Sequence, residues 1–492
     1  MNKTLTENGS GTRKQTRVGY ALFSVAVVIA VLVLGLVVMK APLPLMMAAA
    51  FLASLGLAAI RGVGYDAIER ASFEMIKRGL QPFMIFVAVG ALISAWIMSG
   101  TVPSMIYYGL QLIHPAWFLP AALILSAIAS LVNGTNFGTV ATVGVALMGV
   151  AIPMGIPAPI AAGAILCGAV FGDKMSPLSD TTVMAPGLSG SRLMPHIKHM
   201  MWTTVPSIII SLIIFTVIGF SYGSSNGGAA NIAEVSAGLQ QAFQIGWIPL
   251  IPPVVVIALL VTRMPAFPSI AIGAIMGAII AVVHQGAAAT EVVNAMWSGY
   301  TASEGLGALS GLLSGGESGG ALKMLGLASI VIFALGIAGA FSSAGIMQAL
   351  LGAITPGLNT PRKLVSGTLL ITFLLNMLGG AVNFAVALGA TFMRPLYERM
   401  GLAPKNLSRA VEDSATMTGP LIPWNATAVF TAGALGVTTF EYVPFAFFCF
   451  LCPLFSLLYA ITGFTIVKTS DVPQDSLESM AESEDALVGS TR

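Results

Sequence analysis

Two segments of the sequence hold acidic side chains within long apolar stretches. Residues 172–182 read GDKMSPLSDTT, and residues 412–425 read EDSATMTGPLIPWN. A charged side chain at the centre of a bilayer costs about 2.5 to 3.5 kcal/mol, so charges kept in apolar segments are functional candidates. The candidates for ion and proton coupling are therefore Asp173, Lys174, Asp180, Glu412 and Asp413.

Neutral oxygens accompany these charges, and prolines interrupt both segments. Pro177, Pro420 and Pro423 prevent a continuous helix and leave backbone carbonyls without partners. Carboxylate, hydroxyl and carbonyl oxygens suit a hard cation, and a carboxylate can hold a proton instead. The predicted cation ligands are Asp180, Ser176, Ser179, Thr181, Asn133, Asn136, Asn376, Asn383, Asp413, Ser414, Thr416, Thr418 and Asn425. Asp180 is the first candidate for the carboxylate shared by cation and proton, because only Lys174 offers it a nearby partner.

Each assignment competes with a purely structural role. Lys174 could serve only to neutralise Asp173 or Asp180, because buried charges usually pair. Arg409 precedes Glu412 and Asp413 by three and four residues, which would allow an ion pair along one helix face. The asparagines could be turn formers. The sequence also predicts that Cys167, Cys449 and Cys452 pack in the core, and that His114, His196, His199 and His284 lie at the membrane interface.

The composition identifies the setting of these segments. Charged residues make up 9% of the 492 residues, against about 25% in ordinary globular proteins, and hydrophobic residues make up 56%. Residues 18–39 are 22 uncharged positions before Lys40, a run long enough to cross a hydrocarbon core of about 30 Å. The chain is thus predicted to be an all-α polytopic membrane protein, which excludes soluble enzymes. A net charge of +2 without a basic block gives no sign of a nucleic-acid partner.

The elements that position the two segments follow from the apolar pattern. Regions 117–190 and 364–438 are apolar but broken by Gly, Pro and Asn, so each is predicted to hold a re-entrant hairpin followed by a broken helix. Residues 61–80 are predicted to form an amphipathic helix on the membrane surface. The predicted spanning helices are 18–39, 43–60, 82–99, 200–220, 247–262, 266–284, 324–341 and 442–467.

Basic residues collect on the cytoplasmic side of membrane proteins, and this rule orients the chain. With residues 1–17 in the cytoplasm, 19 of the 22 basic residues lie inside, Lys40 and Lys323 lie outside, and Lys174 lies in the membrane. Both termini are then cytoplasmic, in the cell membrane. Residues 468–492 are acidic without apolar periodicity and are predicted to be a disordered cytoplasmic tail.

The same topology divides the chain into two halves. Residues 18–220 and 247–467 each hold five crossings and one hairpin, joined by an external linker, 221–246. Because five is odd, the second half must be inverted relative to the first. Similar residues recur at 240 or 241 positions in the pairs Pro115 and Pro356, Asn136 and Asn376, and Asp173 and Asp413. An inverted repeat with broken helices is typical of secondary transporters.

The motifs GDKMSPLSDTTVMAP at 172–186 and EDSATMTGPLIPWN at 412–425 resemble those of the NhaC-type Na+/H+ antiporter family, of the ion transporter superfamily. The resemblance covers nearly the whole chain. It implies exchange of Na+ for H+ by alternating access, in an elevator-like homodimer that needs no cofactor beyond the transported ions. It also implies that the hairpin tips and broken helices bind Na+.

Three other functions compete with Na+/H+ exchange. The first keeps the fold but couples Na+ or H+ to a small organic solute such as malate or lactate, with Lys174 or Arg409 binding its carboxylate. The second is an intramembrane aspartyl protease, which Val170 disfavours because it replaces the first glycine of a GxGD motif. The third is a passive channel, which the inverted repeat disfavours.

Overall fold

The computed structural model describes residues 16–222, 227–301 and 319–471 of the chain. The predicted acidic tail lies outside these ranges beyond residue 471, as do residues 1–15 and the linker positions 223–226. Regular elements in the described part are helices, apart from a single bridge between Leu402 and Lys468. Eight of these helices are long and apolar enough to span a membrane, or nine if one bent pair counts as a span. The chain is therefore a multi-pass membrane protein.

The described part of the first half of the chain contains ten helices. They are α1 Val18–Val33, α2 Leu43–Ile60, α3 Tyr65–Lys77, α4 Leu80–Met98, α5 Thr101–Leu112, α6 Pro115–Asn133, α7 Asn136–Ala151, α8 Ala158–Met175, α9 Asp180–Ser189 and α10 Leu193–Tyr222. A π-helical turn, Leu34–Val38, extends α1, and another interrupts α7 at Val140–Gly144.

The remaining described helices follow in a similar order. They are α11 Gly227–Ala242, α12 Ile251–Val261, α13 Ala266–Val283, α14 Ala289–Ser298, α15 Ala321–Ser343, α16 Ile346–Ile354, α17 Pro361–Gly379, α18 Val382–Arg399, α19 Pro404–Thr418, α20 Ala426–Leu435, α21 Thr439–Phe445 and α22 Phe447–Thr462.

Most predicted elements are present, with three differences. The helix predicted at 200–220 is the 30-residue α10, which begins earlier, at Leu193, and so includes His196, Lys198 and His199. The span predicted at 442–467 is instead bent by 58° between α21 and α22. The span predicted at 247–262 is shorter in the structure. It consists of a 3-10 turn, Ile248–Leu250, followed by the 11-residue α12. The predicted helix in the loop 61–80 is α3, with Ile68 and Ser72 buried and Phe73 exposed.

Two groups of helices can be distinguished by their packing. The first, called here the crossed group, consists of α2–α4 and α13–α15. In this group α4 packs on α13 and α14, while α15 packs on α2 and α3. The second, called here the broken-helix group, consists of α6–α10 and α17–α22, in which α6 packs on α8 and α9 packs on α18 and α19. Helices α15 and α20 connect the two groups by direct contact.

The helices of the broken-helix group recur at a constant interval. Pairs of helices begin at Pro115 and Pro361, at Ala158 and Pro404, and at Asp180 and Ala426, each 246 residues apart. Hydrogen bonds follow the same interval: Ser130 Oγ donates to the carbonyl of Ala169 (2.6 Å), and Asn376 Nδ2 donates to that of Ala415 (2.8 Å).

The residue pairs chosen from the sequence do not occupy matching positions in these helices. Asn136 begins α7 whereas Asn376 lies in the last turn of α17, and Asp173 lies near the end of α8 whereas Asp413 lies mid-way along α19. Side-chain identity suggested an interval of 240, but the backbone elements follow 246.

The buried polar residues bring a further correction. His196 and His199 were predicted at the membrane interface, yet both are buried, and His196 Nδ1 lies 2.8 Å from Ser408 Oγ of α19. One face of the first turns of α10 therefore packs against protein. Cys167, Cys449 and Cys452 are buried free thiols, as core packing requires.

Candidate functional site

The break between α8 and α9 is held against the tip between α6 and α7. Helix α8 ends before Pro177, and Ser176 Oγ donates to the carbonyl of Leu131 (2.8 Å) while accepting from the amide of Leu178 (3.3 Å). Gly134, at the tip, has a φ of 71°, and a Cβ there would come within 2.7 Å of Leu178 Cβ. The tip and the break therefore touch through a position that requires glycine.

Asp173 is the carboxylate that this arrangement encloses. Its side chain is 7% exposed and accepts hydrogen bonds from Asn136 Nδ2 (2.5 Å) and Ser179 Oγ (2.6 Å). Thr181 Oγ1 lies 3.2 Å from Ser179 Oγ. Four predicted ligands and coupling residues thus meet at one point, formed by a carboxylate, an amide and two hydroxyls.

Asp180, the first candidate from the sequence, occupies a different environment. It is the first residue of α9 and is exposed, and within the described ranges its carboxylate makes no hydrogen bond or salt bridge. It lies near enough to Asp173 for their charges to interact. Asp173 is therefore the enclosed carboxylate, and Asp180 the accessible one.

Lys174 does not neutralise Asp173 or Asp180, contrary to the structural alternative considered from the sequence. Its Nζ lies 2.7 Å from Asp413 Oδ1, and both side chains are fully buried. Consecutive residues on a helix point about 100° apart, so Asp173 faces the tip while Lys174 faces α19. The pair joins the two halves of the chain.

Asp413 has further partners at the second broken segment. Arg409 Nε lies 3.7 Å from Asp413 Oδ2, as the spacing predicted, and Thr203 Oγ1 donates to Asp413 Oδ1 (3.0 Å). Cys452 Sγ lies 3.5 Å from the same oxygen. Asp413 is therefore a buried anion between two cations.

The Glu412 side chain points in a different direction from that of Asp413. Its Oε1 accepts a hydrogen bond from Thr416 Oγ1 (2.7 Å), Thr181 lies beside the carboxylate, and its buried Oε2 has no hydrogen-bond partner in the described part of the chain. Its charge interacts with that of Asp173. Glu412 thus adds a second buried carboxylate to the Asp173 region.

The other candidate ligands of the second segment bond one another. Asn376 Nδ2 donates to Thr418 Oγ1 (3.0 Å), and Asn425 Nδ2 donates to Asn376 Oδ1 (2.8 Å). Asn425 Oδ1 accepts from the amide of Thr427 (3.0 Å), which caps α20. Ser414 Oγ donates to the carbonyl of Leu369 (2.7 Å). These groups close the second break from within.

The two remaining asparagines differ as well. Asn133 forms a turn, because its Oδ1 accepts from the amide of Thr135 (3.0 Å) and its Nδ2 donates to Thr139 Oγ1 (3.0 Å). Asn383, near the start of α18, is exposed.

A cavity of about 590 Å³ borders the first break and lies between the crossed group and the broken-helix group. The predicted site residues that line it are Asn133, Asn136, Asp173, Ser179, Asp180, Thr181, Asn383 and Thr416. Lys174, Asp413, Asn376 and Asn425 do not line it.

Two lining residues were missed by the sequence analysis. Arg78 and Arg263 both reach the cavity from loops of the crossed group, and both are exposed. In the sequence they are ordinary basic residues of loops assigned to the cytoplasm, where such residues are expected. No sequence signal separates them from the other loop cations.

Comparisons with known proteins identify the family of the chain. Residues 168–464 match the model of the Na+/H+ antiporter family, a range that includes both broken segments. The chain is 35% identical to the Na(+)/H(+) antiporter NhaC of Alkalihalophilus pseudofirmus, covering 92% of this chain and 98% of that protein. It is 39% identical to the malate-2H(+)/Na(+)-lactate antiporter of Bacillus subtilis, covering 82% and 85%. It is also 32% identical to the arginine/ornithine antiporter ArcD of Halobacterium salinarum, covering 95% and 96%. The chain therefore belongs to the Na+/H+ antiporter family and resembles its NhaC-type members over most of its length.

Proposed function

We propose that the chain exchanges Na+ for H+ across the cell membrane, with the carboxylate of Asp173 binding the two ions in turn. The observation that carries this proposal is the enclosed carboxylate at a helix break, surrounded by hydroxyl and amide groups at the wall of a cavity. Such oxygens can replace the water ligands of a monovalent cation, whereas a proton needs only the carboxylate.

Each residue of the first break has a role in this exchange. Asp173 supplies the negative charge, while Ser179, Thr181 and the amide oxygen of Asn136 supply neutral ligands. Asp180 attracts the cation from the cavity. Because one carboxylate cannot hold both ions, Na+ binding releases the proton and proton binding releases Na+. No cofactor is required in this cycle.

The proposed transport movement is alternating access between two inverted repeats. The 246-residue interval, the crosswise packing of α4 and α15, and the position of the cavity between two helix groups all support it. In this proposal the broken-helix group moves against the crossed group, and the tips between α6 and α7 and between α17 and α18 are re-entrant. The homodimer implied by the family resemblance is part of the same proposal.

Transport in reconstituted vesicles containing a pH-sensitive dye tests the exchange. Adding Na+ to one side should move protons to that side without any organic solute, and Li+ and K+ define the selectivity. Protein with Asp173→Asn provides the matched negative control. Wild-type vesicles in which no alkali cation moves protons would exclude Na+/H+ exchange.

Cysteine labelling tests the inverted topology. Single cysteines in α3 should react with an impermeant reagent only from the cytoplasm, and those in α14 only from outside. The three native cysteines are buried, so their background labelling should be low. Reaction of both helices from one side would contradict the inversion.

A second candidate function is exchange of a small organic solute coupled to Na+ or H+. The cavity of about 590 Å³ is much larger than a dehydrated Na+ needs, and one relative is a malate and lactate antiporter. The sequence assigned the solute carboxylate to Lys174 or Arg409, but both cations lie against Asp413. Any anionic solute would therefore need other cations.

A further inference from the structure

Cation exchange alone gives no use for the two arginines that line the cavity. Neither the Arg78 nor the Arg263 side chain forms a hydrogen bond or salt bridge with any described residue, and both side chains are exposed. A fixed positive charge opposes the approach of Na+ and favours the approach of an anion. Guanidinium groups bind carboxylates through two parallel hydrogen bonds.

The left-handed backbone conformation of Arg263 occurs at one other non-glycine residue in the described part of the chain. Lys40 and Arg263, with φ of 50° and 66°, are its non-glycine residues with positive φ. Each lies two residues before a proline, Pro42 or Pro265, that precedes the next helix. The left-handed conformation costs about 1 kcal/mol or more for such residues. Both loops nevertheless use a basic residue where glycine would be unstrained.

The two loops occupy corresponding places in the crossed group. Lys40 joins α1 to α2, which packs on α15, and Arg263 joins α12 to α13, which packs on α4. A second pair of basic residues follows the same pattern: Arg78 lies just before α4, and Lys323 lies in the first turn of α15. Lys40 and Lys323 are also the two basic residues that the topology places outside, against the usual preference for the cytoplasm.

We propose that Arg263 with Arg78, and Lys40 with Lys323, bind the carboxylate of a small organic anion in turn, at the cytoplasmic and external mouths of one pathway. In the state described here the arginine pair faces the open cavity, and in the opposite state the lysine pair takes that position. The amide of Asn383 and the space of the cavity accommodate the rest of the anion. This inference rests on the solute-coupled form of the proposed function.

Uptake of radiolabelled malate and lactate into reconstituted vesicles of defined orientation tests the proposal. With Arg263→Gln, the half-saturating carboxylate concentration at the cytoplasmic face should rise at least about tenfold, as for loss of a charge-assisted hydrogen bond, with little change at the external face. Lys40→Gln should give the reverse pattern. Lys198→Gln removes an exposed basic residue that does not line the cavity and should match wild type.

Several outcomes would overturn the inference. Unchanged half-saturation in both variants, or an equal change at both faces, would contradict side-specific binding. Wild-type vesicles in which Na+ moves protons while neither carboxylate is taken up nor alters that flux would reject this inference but leave Na+/H+ exchange intact. Absence of both activities would reject the proposed function as well.

A chemical rescue separates charge from folding. Arg263→Cys treated with an aminoethyl methanethiosulfonate regains a positive side chain, whereas a sulfonatoethyl reagent adds a negative one. Restored carboxylate affinity with the first reagent only is the expected result. Equal effects of the two reagents would show that position 263 does not act through its charge.

Discussion

Asp173, beside the first break, accepts hydrogen bonds from an amide and a hydroxyl and borders the cavity, whereas Asp413, within the helix before the second break, is fully buried beside Lys174 and Arg409. The helices that carry them start 246 residues apart, whereas the two carboxylates lie 240 residues apart. By helix position, Asp173 corresponds to Gly419 and Asp413 corresponds to Cys167.

The comparison indicates that the two broken segments have different roles. Neutral partners leave the charge of Asp173 uncompensated, so an arriving cation or proton can neutralise it. Two cations already balance Asp413, and an additional Na+ would compete with both of them. The first break is thus suited to exchange, and the second to holding the halves together through Lys174.

The largest expected effect is on stability, from Asp413→Asn. This change leaves Lys174 and Arg409 buried without a counter-charge, and removing one partner of a buried ion pair costs about 3 to 5 kcal/mol. The thermal unfolding midpoint of the purified protein should fall strongly. Lys174→Gln is the matched control and should cost less, because Arg409 still balances Asp413. An Asp413→Asn protein that is as stable as wild type but inactive would reverse the assigned roles.

Asp173→Asn should have the next largest effect, on transport. The carboxamide keeps an oxygen that can accept from Asn136 or Ser179 but loses the charge and the titratable proton. Cation-dependent proton flux should fall at least about 100-fold, or about 2.7 kcal/mol, with little loss of folded protein. Asp180→Asn sharpens the comparison, because the sequence favoured Asp180. If only Asp180→Asn abolished flux, the accessible carboxylate would be the exchanging one.

The sequence predicted most helices and both breaks because these follow from apolar runs and prolines. It also identified the residues around Asp173, since buried charges in apolar segments have few explanations. The partner of Lys174 could not be predicted in this way. Asp413 lies 239 residues along the chain, and its approach depends on packing of α8 against α19.

Other features were missed for different physical reasons. Identical side chains at 240 residues suggested the wrong register, because charged residues of the two breaks come from unequal positions. His196 and His199 have an ordinary interfacial pattern, and the packing of α10 against α19 and other helices buries them. The sequence could not single out Arg263, because its residue type does not predict a left-handed backbone conformation.

A smaller effect concerns the competition between Na+ and H+ at Asp173. Each bound proton removes a cation site, so the half-saturating Na+ concentration should rise about tenfold per unit as the pH falls below the carboxylate's pKa. Above that pKa it should reach a plateau. The half-saturating Na+ concentration is to be measured at pH values between about 6 and 9. A flat profile, with flux only when an organic solute is present, would favour the solute-coupled function.

The smallest expected effect tests whether equivalent positions of the two halves do equivalent work. Ser130→Ala removes the hydrogen bond to the carbonyl of Ala169 and should lower the free energy of unfolding by about 1 kcal/mol. Ser126→Ala is the matched control, because Ser126 lies one turn earlier in α6 and its buried Oγ has no hydrogen-bond partner in the described structure. That variant should be near neutral, since it removes no bond. Asn376→Ala, at the position corresponding to Ser130, should cost more, because it also leaves Asn425 Nδ2 without its acceptor. The Na+ concentration for half-maximal flux should stay constant in all three variants. An increase confined to Asn376→Ala would mean that this amide binds the ion, and the second break would then share in exchange.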